Sequence, residues 1–141
     1  MISYSKLYEP QDEPEDDYQT TKMKMVIVMA SHLKMGRGKE IAQGGHAVMG
    51  AYNDSMWRWG PIGGDMSEAW EENGKKKVCL KVYSEDEIVR LAMLCEAADI
   101  GHYLVRDAGR TEVAPMSATA LGIGPDYEHN IDRITGELAL Y

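Results

Sequence analysis

Lys39, Gln43 and His46 fall at i, i+4 and i+7 just behind a glycine-laced basic turn, so a helix beginning there carries all three on one face. The turn reads Leu33-Lys34-Met35-Gly36-Arg37-Gly38-Lys39, with cations Lys34, Arg37 and Lys39 inside six residues. Two glycines let the backbone approach a ligand closely, and a helix start offers unbonded N–H groups at the positive end of a dipole. Together these parts suit an anion, and phosphate is the common one. An ordinary solvated connection would use the same residues. A nucleotide-binding P-loop is excluded, because it needs glycine where Leu33 stands and Ser or Thr where Glu40 stands.

The elements that must position these residues follow from periodicity. Met25 to Ala30 is a continuous apolar run of strand length, as in a central strand covered on both faces. A helix is predicted from about Gly38 to Asn53, with Ile41, Gly45, Val48, Met49 and Tyr52 as its buried stripe. Asp54 to Gly64, with two tryptophans, Pro61 and paired glycines, reads as an irregular loop. A short helix over about Met66 to Glu72 would start from Asp65, with Glu68 as capping-box partner. Lys77 to Tyr83 is a second strand. Ser84 and Glu87 then open a helix whose core side is Ile88, Leu91, Ala92, Cys95 and Ala98. His102 to Arg106 and Ala118 to Ile123 are further strands, and a last helix covers about Tyr127 to Ile134. This alternation means an α/β sandwich with at least partly parallel strand pairing.

Composition sets the outer limits. A chain of 141 residues, 44% apolar, fits one domain with a core of ordinary size. No apolar run nears the roughly 20 residues of a membrane span, and no basic-then-apolar leader opens the chain. Cys79 and Cys95 read as reduced core thiols, which points to a cytoplasmic setting without a metal site. The four histidines show no metal-ligand spacing, and no GxSxG elbow is present. Net charge is −8, which opposes nucleic-acid binding on its face. Six acids against Lys6 place most of that charge in the first 21 residues, an acidic, Pro-containing stretch that reads as disordered. Elsewhere cations cluster at Lys34/Arg37/Lys39, at Lys75/Lys76/Lys77/Lys81 and at Arg106/Arg110, so a locally basic face remains open.

Further motifs follow the basic turn in order: Ala42-Gln43-x-x-His46-Ala47, Asp107-Ala108-Gly109-Arg110-Thr111 with Ala114-Pro115, Leu121-Gly122-Ile123-Gly124-Pro125, and Ile131-Asp132-x-x-Thr135-Gly136-x-Leu138. In this series the chain strongly resembles the type II peptidyl-tRNA hydrolases, the archaeal and eukaryotic class. The resemblance runs from about Met23 to Tyr141, leaving residues 1–22 as a tail and 23–141 as the hydrolase domain. It implies a three-layer α/β/α sandwich around a four-stranded mixed β-sheet. It also implies a peptidyl-tRNA substrate, no cofactor, no membrane partner and a homodimer.

Carried over residue by residue, the resemblance makes Lys39, Asp107, Thr111, Thr119 and His46 the catalytic positions, and Lys34, Arg37, Gln43, Lys81 and Arg110 the substrate contacts. Asp107 would orient or deprotonate the attacking water, and Lys39, with Lys81, would stabilise negative charge or hold phosphate. Thr111 and Thr119 would donate hydrogen bonds to substrate or water, and His46 could shuttle a proton. Three of these positions have a structural alternative: His46 as an ordinary helix histidine, Lys81 as a solvated strand residue, Arg110 as an anchor for its turn. Three residues depart from the family pattern: Arg37 for Lys, Gly44 for a frequent Cys, and Met116 for Gly. If the backbone at 116 needs positive φ, methionine strains the loop that holds Thr119. The competing reading is a non-catalytic adaptor that keeps the fold and binds RNA ends or proteins.

Overall fold

The structure, a computed structural model, describes residues 22–109 and 113–141. The acidic tail therefore lies outside the described residues. Strands β1 (Met23–Ala30), β2 (Lys77–Val82), β3 (His102–Arg106) and β4 (Ala118–Tyr127) form one sheet in the order β2-β1-β4-β3. β1 runs parallel to β2 and antiparallel to β4, and β3 pairs antiparallel with β4. Helices α1 (Arg37–Trp59) and α2 (Gly63–Glu72) link β1 to β2. Helix α3 (Glu85–Ala97) links β2 to β3, and α4 (Glu128–Thr135) follows β4. The expected α/β architecture with a mixed four-stranded sheet is what forms.

Alternation along β1 divides the core. Val26, Val28 and Ala30 join Leu80, Val82, Leu121 and Ile123 under α3 and α4, where Ile88, Cys95 and Ile131 complete one apolar layer. Met23, Met25 and Met29 face the other way, under α1 and α2, with Ala47, Ala51, Met66 and Trp70. Three layers result. Ser84 caps α3 as its sequence requires, its hydroxyl accepting from Glu87 N at 3.2 Å, while the Glu87 carboxylate accepts from Tyr83 N at 2.7 Å.

Four expectations are corrected. The loop from Asp54 does not exist: α1 continues to Trp59 and stops where Gly60 takes φ 56°. Arg58 holds that last turn, bonding Asp54 one turn back (2.8 Å), Asp99 (2.9 Å) and Glu96. Burial works against the Arg58 charge, but the hydrogen bonds it donates to the three acids prevail and hold its pKa above the ordinary value. Secondly, α2 begins at Gly63 behind a short 3-10 turn, so Asp65 lies inside it and does not cap it. Thirdly, the buried residues of α1 are Gln43, Ala47, Ala51 and Ser55, while Ile41 and Met49 are exposed. The helix lies too close to the sheet for large side chains. A Cβ at Gly122 would overlap the Ala47 carbonyl, and one at Gly101 would overlap the Ser55 side chain. Lastly, Cys95 is a core thiol but Cys79 is exposed, because it sits on edge strand β2.

Gly44 and Gly45 stand inside α1 with open space where a Cβ would go. Gly45→Ala should therefore stabilise the protein by about 1 kcal/mol, read as a rise of roughly 4 °C in Tm by calorimetry.

Candidate active site

The turn that opens α1 is built without a side-chain cap. After β1 a single 3-10 turn (Ser31–Leu33) ends on Lys34 in the left-handed region, φ 51°, and Met35 is buried as an anchor. Gly36 is the N-cap residue, and the first helical bond is Glu40 N to Gly36 O at 3.0 Å. The N–H groups of Arg37, Gly38 and Lys39 therefore belong to the first turn, which has no intrahelical acceptors for them.

Lys39 reaches from this first turn to the carboxylate of Asp107, 68 residues later. The pair is enclosed: the Lys39 side chain is 11% exposed and that of Asp107 is 3%. Asp107 is fixed by backbone as well. Its N–H donates to Ser117 O (2.9 Å), its carbonyl accepts from Met116 N (2.8 Å), and its second carboxylate oxygen accepts from Gly109 N (2.7 Å). Gly109 makes that last bond at φ 80°, with Pro115 packed where a Cβ would stand 2.6 Å away. Met116 does occupy the positive-φ region, at 66°, with its side chain out in solvent. Its carbonyl is clamped by Arg106 Nη1 at 2.9 Å, and the same nitrogen lies 3.5 Å from Glu85.

One turn beyond Lys39, Gln43 is buried and its side-chain carbonyl accepts from the Thr119 hydroxyl at 2.5 Å. Strand alternation alone would not bring Thr119 to this side. The pairing of β3 with β4 slips between Val105 and Arg106, which oppose Ala120 and Ala118, and Thr119 is the extra residue. Such a bulge turns Thr119 to the same side as Ala120, toward α1. Thr119 is fully buried, and Val105 O is a second acceptor for its proton at 3.3 Å.

Lys39, Gln43, Asp107 and Thr119 thus meet in one place. Lys34, Arg37 and His46 are exposed around it. Lys81 is half-buried on β2, in register with Met29, and its ammonium lies 5.9 Å from the Tyr83 ring centre. Arg110 and Thr111 lie outside the described residues. Two neighbours of the site were not legible as such. Tyr141 donates its hydroxyl to Glu40, beside Lys39, which pushes the phenol up to about 12. Arg106 is the clamp on the loop backbone. A tyrosine at position 141 carries no sequence signal for that contact, and Arg106 stood out only as one cation of a cluster with Arg110.

A single sheet with helices on both faces defines an α/β protein, and an enclosed lysine–carboxylate pair stands where its first helix starts. The chain belongs to the family described as peptidyl-tRNA hydrolase PTH2, whose model matches residues 23–141. It is similar to the peptidyl-tRNA hydrolase of Haloquadratum walsbyi, 43% identical over 119 residues, covering 84% of this chain and all of the relative. The enzyme of that name from Methanothermobacter thermautotrophicus is also 43% identical, over 84% of this chain and 99% of its own. The human protein named peptidyl-tRNA hydrolase 2, mitochondrial, is 41% identical over 84% of this chain and 64% of its own.

Removing one member of the enclosed pair takes from the other a close opposite charge. Lys39→Met and Asp107→Asn should each destabilise the fold by about 3 kcal/mol. The double variant should lose clearly less than the sum of the two, as measured by urea denaturation.

Proposed function

We propose that this protein hydrolyses the ester between a peptide and the 3′ ribose of tRNA, releasing both. The observation that carries the reading is the Lys39–Asp107 pair at the start of α1, in a chain whose relatives are named for that reaction. Water attacks the ester carbonyl carbon, and the Asp107 carboxylate accepts a hydrogen bond from that water and takes its proton. Lys39, with the N–H groups of the first helical turn, meets the charge that develops on the carbonyl oxygen. The bond to the ribose oxygen then breaks, and that oxygen takes a proton from Lys39 or His46.

Thr119 has a positioning part in this scheme. Its proton is committed to the Gln43 carbonyl, which leaves the Gln43 amide nitrogen as the donor for substrate. Thr111 is assigned a hydrogen bond to substrate or water, and Lys34, Arg37, Lys81 and Arg110 are assigned substrate contacts. An ester is activated enough for this chemistry to proceed without metal. The two free cysteines support a reducing, cytoplasmic setting.

A homodimer is part of the same reading. Ile41, 69% exposed, projects beside an apolar groove of about 310 Å³ lined by Ile27, Met29, Val48 and Cys79. A projection and a recess on one patch suit a two-fold contact, in which each copy fills the other. Ile41→Glu should convert the dimer to monomer by light scattering, and a wild type that is monomeric at high concentration would refute the contact.

Incubation with N-acetyl-aminoacyl-tRNA tests the activity. The wild type should release tRNA equally with and without EDTA. Lys39→Ala and Asp107→Ala should each lower kcat/KM at least a hundredfold. Absence of release with RNA binding intact would leave the adaptor reading in its place.

A further inference from the structure

A second groove, of about 480 Å³, runs between α1 and β3 and is lined by His46, Met49, Gly50, Asn53, Tyr103 and Arg106. It begins at the site, since Arg106 precedes Asp107 and His46 lies one turn past Gln43. From His46 to Asn53 it follows the helix for two turns, ~10 Å. Its outer wall is the edge strand of the sheet.

Tyr103 is fixed in this groove by an absence on the helix. A Cβ at residue 50 would overlap the Tyr103 ring, so glycine lets the ring lie directly against the α1 backbone. Glycine inside a helix is unfavourable, and here it is explained by that seat. Held in this way, the Tyr103 side chain is still 48% exposed. A rigid, half-exposed aromatic is a stacking platform for an unpaired base. At the end nearest Asp107, Arg106 lines the groove, but its guanidinium turns to the other face of the sheet, where Met116 O and Glu85 of α3 hold it. His46 and Asn53, both exposed, offer hydrogen-bonding groups to a base edge.

We infer that this groove receives the unpaired 3′-terminal nucleotides of tRNA, a base stacking on Tyr103. The inference rests on the proposed hydrolysis, because the ester must then sit at Lys39 and Asp107 with the RNA leading away along α1. An alternative occupant is the peptide portion of the substrate, added along the open edge of β3.

The test is binding of a 5′-labelled CCA trinucleotide to the intact protein, followed by fluorescence anisotropy, which needs no turnover. Tyr103→Leu should weaken binding about tenfold, the order expected for one lost stack, and Tyr103→Phe should restore it. In the hydrolysis assay the Tyr103→Leu loss should fall on KM. The inference is overturned if CCA fails to bind the wild type, or binds Tyr103→Leu equally well. It is also overturned if Tyr103→Leu instead weakens competition by a free N-acetyl peptide. A wild type that binds CCA through Tyr103 yet releases nothing would keep the groove and refute the hydrolysis.

Discussion

The close approach of α1 to the sheet is the constraint on which the other features depend. Gly122 on β4 lacks the atom that would strike the Ala47 carbonyl, and Gly101 lacks the one that would strike Ser55. The helix therefore settles onto β4 and β3 with Gln43, Ala47, Ala51 and Ser55 inward. That seating sets the height and rotation of its first turn. Lys39 and Gln43 then point at the loop after β3 and the bulge in β4, where Asp107 and Thr119 wait. A bulkier contact face would lift the helix and separate the two halves of the site.

An enclosed ion pair is a weak means of gaining stability, because dehydrating each ion costs several kcal/mol and the mutual attraction returns little beyond that. Asp107 is nonetheless held by three backbone hydrogen bonds as well as by Lys39. Met116 keeps a left-handed backbone that glycine would adopt more readily. These are costs borne by the local structure to keep one carboxylate still. Such arrangements belong to sites whose groups must be oriented before the ligand arrives.

Strands β1 and β3 and the cap of α3 were legible because each rests on short-range chemistry: an apolar run, an alternation, a serine with a glutamate three residues on. The course of the chain from Asp54 to Gly64 was not, since Gly, Pro and Trp signal a turn. The Arg58 contacts that carry the helix onward come from acids some 40 residues away. The buried face of α1 misled for a related reason. Hydrophobicity favoured Ile41 and Met49, whereas small size decides the fit against Gly122. Within the site, Lys39, Gln43 and Asp107 could be picked out by type and order. The inward turn of Thr119 could not, because it depends on a one-residue slip between two strands.

Arg58 closes the far end of α1 onto Asp99 and Glu96, at the end of α3, while Asp54 also accepts from His102 N at 2.9 Å. Long helices ordinarily fray from an unattached end. Here the terminal turn of one helix, the tail of another and the first residue of an edge strand share a single guanidinium cluster. The three segments are thereby fastened to one another at a single point, so that loosening any one of them removes an anchor from the other two.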